Sequence, residues 1–332
     1  MGIKILEGGF LTTIQDYGRY GYQKYGVTVS GAFDKRALEI GNILVGNKRD
    51  EAGIETTLFG LKIEFLEECV ISVTGGNLSA QINEKPIEMY RSIEVRKGDI
   101  LSFPKCISGA RSYICFSKGL LVREVMGSSS TSIMSLTGGF KGRKLTKGDI
   151  IPFKSDKNYK FIERRYTENF YRNSKNTLRV IKGPQYSAFT DSSTELFFNS
   201  EYRLTSDFNR MGVKLDGPSL KHRYSADIIS DGVTLGAVQV PSSGKPIIML
   251  ADRQTTGGYA KIANVISVDI SKIAQAKPGD TFSFERISLD EAQKIYFNSV
   301  SEMNEIEKSI NNSKDYIVRI GDKKYDVSVI EI

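Results

Sequence analysis

The densest run of side chains able to do chemistry is Asp252-Arg253-Gln254-Thr255-Thr256-Gly257-Gly258-Tyr259-Ala260-Lys261, directly after the apolar stretch Pro246 to Leu250. Asp252, Arg253, Gln254, Thr255, Thr256 and Lys261 leave the end of a buried strand together as catalytic candidates, and two glycines let the backbone come close to a ligand. Such a set fits a planar amide or ureido group: it holds the group from several sides and stabilises charge that develops on its oxygen. Gly257, Gly258 and Tyr259 are candidate substrate contacts. Arg210, in Asn209-Arg210-Met211-Gly212, and Gln239, between Gly236 and Pro241, are candidates for the same cleft.

Two further glycine-rich segments carry polar groups. The first holds Gln15, Asp16 and Arg19 and runs to Ser30-Gly31, just before an expected helix over residues 32–45 with Ser30 as N-cap. The free N–H groups of that helix start, with Arg19 as a bidentate partner, would suit a carboxylate or phosphate. The alternative, that Asp16 and Arg19 pair locally and cap the fold, stands beside it. The second segment joins Arg111, at the start of an apolar strand where an unpaired arginine is costly, to the hydroxyl run Ser128 to Thr131.

Other chemistry is excluded by what is missing. Cys69, Cys106 and Cys115 lack CxxC spacing and His222 is the only histidine, so no metal site and no disulfide framework is expected. The stretch from Gly236 to Gly244-Lys245 departs from a phosphate-binding loop in length and places Pro246 where a hydroxyl is needed. A net charge of +7 over 332 residues is spread along the chain, and the basic stretch 160–175 is interrupted by Glu163 and Glu168, so no nucleic-acid partner is expected. No apolar run reaches the roughly 18–20 residues of a membrane span, and the N-terminus shows no secretory pattern. A cytoplasmic protein is the expectation.

The elements that must position these residues are mainly β-strands. Glycine, tyrosine and phenylalanine are abundant, and short apolar runs end at glycines. Gly98-Asp99, Gly148-Asp149 and Gly279-Asp280 form a recurring turn, each feeding a short strand. The pattern predicts two β-rich domains with few helices: an N-terminal domain over 1–155, a polar bridge over 156–177, a C-terminal β domain over 178–287, and a helix-plus-hairpin tail over 288–332. The tail helix is expected after Ser288, and the hairpin around Gly321-Asp322.

Eight motifs in order, TTIQDYGRYGYQKYGVTVSGAFD, NILVGN, GARSY, GSSST, GGFKGR, NRMG, GAVQVP and DRQTTGGYAKI, make residues 3 to 287 resemble the biotin-dependent carboxyltransferase or allophanate hydrolase subunit 2 family. The resemblance implies cyclophilin-like barrels. It also implies a component of an ATP-dependent 5-oxoprolinase that converts 5-oxo-L-proline to L-glutamate, working with one KipI-like and one LamB/YcsF-like partner and inactive alone. Two other readings are a urea carboxylase-like component using biotin on a separate carrier, and a KipA-like regulator that binds a histidine-kinase inhibitor. In the first, Arg19 or Arg111 would take the substrate carboxylate, Gln239, Thr255 and Thr256 the lactam oxygen, and Asp252 or Lys261 would move a proton. ATP would bind with the partner subunits. No Met-Lys-Met occurs, so no biotin is expected on this chain. Ala260 stands where the family usually has proline, which loosens that turn.

Overall fold

The computed structural model describes residues 1–154, 161–167, 176–320 and 323–330. The N-terminal part is two sheets over one core. One sheet runs in the order Ile150–Pro152, Gly2–Gly8, Leu61–Phe65, Ile100–Ser102, Gln81–Ile82 and Lys85–Pro86. The other runs Leu11–Gln15, Gly53–Thr57, Ser108–Phe116, Cys69–Asn77 and Ser92–Val95. Side-chain alternation assigns the faces of the second sheet. Ile71, Val73, Ile114 and Phe116 enter the core shared with Ile3, Ile5, Ile63 and Phe65. Val70, Tyr113 and Cys115 turn the other way, onto Ala37 and Leu38 of helix α1 (Lys35–Leu44).

Hydroxyls weld α1 to that sheet: Ser72 Oγ donates to Gly41 O and Thr74 Oγ1 to Ala37 O, each at 2.7 Å. A Cβ on Gly41 would stand 2.8 Å from Cys115 Sγ, so only glycine allows this approach. The helix starts three residues later than the sequence pattern predicts. Asp34, not Ser30, is its N-cap, accepting from Ala37 N at 3.2 Å. Ser30 instead adopts a left-handed φ of 57° and donates its N–H to Ala251 O at 3.1 Å, tying this loop to the C-terminal half.

The three Gly-Asp turns share one geometry. Gly98, Gly148 and Gly279 have φ of 90°, 91° and 98°, and each following aspartate accepts from the backbone N–H three residues earlier: Arg96 N at 2.7 Å, Thr146 N at 2.8 Å and Lys277 N at 2.8 Å. The same device starts strands in the first sheet and in the C-terminal barrel.

That barrel closes through seven strands in the order Thr177–Lys182, Lys261–Val265, Ala237–Gln239, Ile247–Met249, Gly212–Asp216, Tyr202–Phe208 and Thr281–Arg286. The last and first pair in parallel. Leu178, Val180, Leu204, Leu215, Val238, Ile248, Ile262 and Phe282 fill it. A two-stranded ribbon, Asp227–Gly232 against Thr256–Tyr259, forms separately from the barrel sheet.

Helices α2 (Asp191–Phe198) and α3 (Ile270–Ala274) flank the barrel core through Phe197, Ile270 and Ile273. Helix α4 (Leu289–Asn312) opens with a reciprocal cap, in which Ser288 Oγ accepts from Glu291 N at 3.2 Å and Glu291 Oε2 from Ser288 N at 2.8 Å. Its Met303, Ile306 and Ile310 pack on Ile40, Ile43 and Leu44 of α1. Strands Ser313–Ile320 and Lys323–Ile330 form the tail hairpin; its Gly321-Asp322 turn lies outside the described residues. Of the polar bridge, 161–167 runs beside Ser92, whose N–H donates to Arg164 O at 2.9 Å, while 155–160 and 168–175 lie outside the described residues.

Candidate functional site

The residues singled out by sequence fall into three groups. The first seals the seam between the N-terminal sheets and the barrel. Glu55 on the strand Gly53–Thr57 accepts from Phe33 N at 2.9 Å, Tyr113 Oη at 2.7 Å and Arg210 Nη1 at 2.5 Å. Arg210 also donates through Nε to Asp252 Oδ2 at 3.0 Å and through Nη2 to Gly31 O at 2.6 Å. Burial alone would raise the Glu55 carboxyl, but Arg210 and then Arg111 outweigh it and hold it below its ordinary value. Asp252 is thus the partner of a buried guanidinium rather than a free proton carrier. Arg111 is no better placed for a substrate carboxylate: its guanidinium lies 4.3 Å from the Phe33 ring centre and 4.7 Å from that of Phe208, and Nη1 donates to Ala274 O. Gln275 completes the seam, its Oε1 accepting from Ala110 N and Arg111 N, each at 3.1 Å, and its Nε2 donating to Asp34 Oδ2 at 2.8 Å.

The second group is a clamp on the hydroxyl loop. Asp16 accepts from Ser128 Oγ at 2.7 Å, Ser129 N at 2.6 Å, and Ser130 Oγ. Arg19 donates to Val125 O at 2.8 Å and Ser130 O at 3.0 Å. Gln15 Nε2 reaches Thr131 O at 3.1 Å. Asp16 and Arg19 therefore hold the two backbone polarities of one loop, while Arg19 Nη1 and Gln15 Oε1 have no hydrogen-bond partner among the described residues. The helix start expected to cradle an anion is closed by Asp34.

Buried donors without a hydrogen-bond partner among the described residues occur in all three groups, Arg111 Nε in the first, Arg19 Nη1 in the second, and Gln239 Nε2 with Lys261 Nζ in the third. Gln239 and Lys261 are cross-strand partners in the barrel, so their side chains share a face, and each is only 2% exposed. The ribbon lies over them: Asp231 and Gly257 are its paired residues. A Cβ on Gly257 would stand 2.7 Å from Gln239 Nε2 and 3.5 Å from Gln254 Nε2, so the glycine is what gives these amides room. Gln239 Nε2 has no hydrogen-bond partner among the described residues. Lys261 Nζ lies 3.2 Å from Asp231 Oδ2, an ion-pair contact. Gln185 braces both, accepting from Lys261 N at 3.2 Å and donating to Asp231 Oδ2 at 3.3 Å. The Gly232 N–H, then Lys261 and Gln185, hold the Asp231 carboxyl below its usual value. Buried polar atoms are nearly always bonded, so two open donors side by side define a place for an acceptor oxygen.

Thr255 contributes its carbonyl, accepting from Val233 N at 3.0 Å, and Thr256, Gly258 and Tyr259 belong to the ribbon. Arg253 faces away, donating to Val233 O at 2.9 Å and Leu250 O at 3.3 Å at the domain seam. Sequence reasoning singled out Gln239, Gln254, Gly257 and Lys261 but not Gln185 or Asp231 as site residues. Gln185 follows Gly183-Pro184 with no motif around it; Asp231-Gly232 carries a turn signal. Among the described residues no group of three His, Cys, Asp or Glu side chains could hold a metal, and no helix is long and apolar enough to cross a membrane.

A closed β-barrel packed against two sheets, with buried amide and ammonium groups under a glycine ribbon, is the architecture seen here. The family model for the carboxyltransferase domain, subdomains A and B, matches residues 25–286, and the chain belongs to that family. It is 36% identical over 293 residues to the C subunit of 5-oxoprolinase from Haemophilus influenzae, covering 88% of this chain and 94% of that protein. The corresponding 5-oxoprolinase protein of Escherichia coli is 35% identical, with 88% and 93% covered. The crystal structure of Kluyveromyces lactis urea carboxylase superposes with a TM-score of 0.84 at 30% identity over 92% of this chain, which spans 29% of the length of that one.

Proposed function

We propose that this chain is the C-type component of a cytoplasmic 5-oxoprolinase, and that the Gln239–Lys261 pocket holds the lactam oxygen of 5-oxo-L-proline. The observation that carries the chemistry is the pair of buried, open donors beneath Gly257; the two relatives of near-equal length carry the substrate class. A lactam is a poor electrophile because nitrogen donates into its carbonyl. An ammonium and an amide N–H aimed at the oxygen withdraw that density and stabilise the negative charge that forms as the ring opens. Asp231 and Gln185 keep Lys261 in position, and the ribbon excludes water above it.

The stretch from Gly236 to Lys245, the nearest approach to a phosphate-binding loop, offers ATP no unpaired lysine. Lys245, the lysine of the stretch nearest to a phosphate loop, is occupied by Asp216 Oδ1 at 2.9 Å and Gly217 O at 2.5 Å. We therefore assign ATP to the partner subunits, one KipI-like and one LamB/YcsF-like, without which this chain is inactive. The urea carboxylase likeness supports a second reading, because urea presents the same kind of oxygen to the same donors; it requires biotin on a separate carrier. The deciding experiment co-expresses the chain with its partners and measures ATP-dependent glutamate release from 5-oxoproline. Release by the complex and none by the single chain is the expected result. No release, with carboxylation of urea once a carboxybiotin carrier is added, overturns it in favour of the second reading.

A further inference from the structure

A cavity of about 590 Å³ opens at the seam between Arg253 and helix α4. That volume falls in the range of small-molecule sites. Its charged lining is unbalanced. Lys35, Arg36, Arg49 and Arg253 contribute four cations and Glu39 one carboxylate. Arg36 and Arg49 are matched by Glu302 and Glu307 of α4. Glu39 accepts from Tyr17 Oη, and Lys35 Nζ donates to Tyr20 Oη. One positive charge is left over, and Arg253 is where it is least solvated. It is 7% exposed, it donates to the backbone carbonyls of Val233 and Leu250, and it has no carboxylate within ion-pair distance among the described residues.

A buried, unpaired guanidinium is costly, and an anion removes that cost. An independent observation points the same way: Ser30 lines the same cavity, is 3% exposed, and its Oγ has no hydrogen-bond partner among the described residues. The remaining walls are largely apolar, among them Phe33, Leu235, Ala251 and Val300. Tyr296, Ser299, Val300 and Met303 of α4 close the cavity from a segment beyond the family-matched residues 25–286.

We propose that this cavity is a second ligand site, separate from the Gln239–Lys261 pocket, and that it binds a monoanionic carboxylate with an apolar body. The carboxylate is held by Arg253 and Ser30, and its body lies against Phe33 and Val300 under α4. Inorganic phosphate has the charge but no body to fill the apolar walls, and an uncharged amide leaves Arg253 unpaired.

The test is a titration of the purified full chain with benzoate, benzamide and inorganic phosphate at matched ionic strength, followed by calorimetry and thermal unfolding. Benzoate is expected to give saturable heat and a rising Tm, with benzamide and phosphate at least 10-fold weaker. Two variants separate binding from misfolding. Arg253→Gln removes the charge, and Val300→Trp fills the cavity from a helix position that is 41% exposed. Each is expected to weaken benzoate at least 10-fold, with the Val300 variant keeping its native unfolding transition. The proposal is overturned if benzoate gives no saturable response, if phosphate binds as tightly as benzoate, or if the Val300 variant binds benzoate as the wild type does.

Discussion

The seam around Glu55 and the pocket around Gln239 are both buried and polar, yet they differ in one respect that decides their roles. At the seam every functional atom of Glu55, Arg210 and Asp252 finds a partner inside the chain, supplied from both halves of the molecule. Under the ribbon, Gln239 Nε2 is equally sheltered but has no hydrogen-bond partner among the described residues, and Lys261 Nζ has only its ion-pair contact with Asp231. A satisfied buried network fixes the two halves together; an unsatisfied one gives up stability to keep donors available for a ligand. Charge density in the sequence does not distinguish them, because arginine and aspartate are as prominent at the seam as lysine and glutamine are in the pocket.

This contrast can be broken from either side. The largest effect is expected from Arg210→Met, which leaves the Glu55 and Asp252 carboxylates buried without their cation and costs about 3–5 kcal/mol in urea unfolding. A loss under about 1 kcal/mol would show that the seam does not hold the halves together. Lys261→Met should do the reverse. Turnover of the assembled enzyme falls about 10²- to 10³-fold, while Tm stays level or rises because a buried ammonium is gone. A milder cut is Gly257→Ala, whose Cβ would press on Gln239 Nε2 and, at 3.1 Å, on Val233 Cγ2. The amide swings away, lowering turnover about 10-fold through misplacement alone; a normal rate would mean that Gln239 does not need its present position.

The smallest effect concerns Asp231, whose carboxyl is held below its ordinary value by the Gly232 N–H, Lys261 and Gln185. A depressed carboxylate adds stability that is fully present above its unfolded pKa of about 3.9 and is lost as pH falls through the lower folded value. The stability gap between wild type and Asp231→Asn should therefore be constant near neutrality and close on acidification. A gap that widens toward acid would reverse the assigned direction.

Much of the fold was legible because it rests on local rules. The Gly-Asp turns could be read at three places, since each needs only a left-handed glycine and an aspartate reaching back to a nearby N–H. The tail helix was legible from Ser288 and Glu291. Ser30 was misread as a helix cap because a serine before an apolar run is the usual signal; a contact to Ala251, more than two hundred residues away, moved the start to Asp34. For the proposed site, sequence composition singled out Gln239, Gln254 and Lys261 together with Arg111, Asp252 and Arg253 and could not separate them. That separation depends on who bonds whom across the seam. Gln185 was invisible, because it braces Lys261 and Asp231 from another strand connection.

The central claim is that an open amide donor at Gln239 grips the substrate oxygen. Its most direct test is the kcat of the assembled complex carrying Gln239→Leu, a near-isosteric change that removes only the donor and its carbonyl. A fall of about 10²-fold or more in ATP-dependent glutamate release with an unchanged thermal unfolding curve is expected. A rate within twofold of wild type, in a complex that assembles normally, would contradict it.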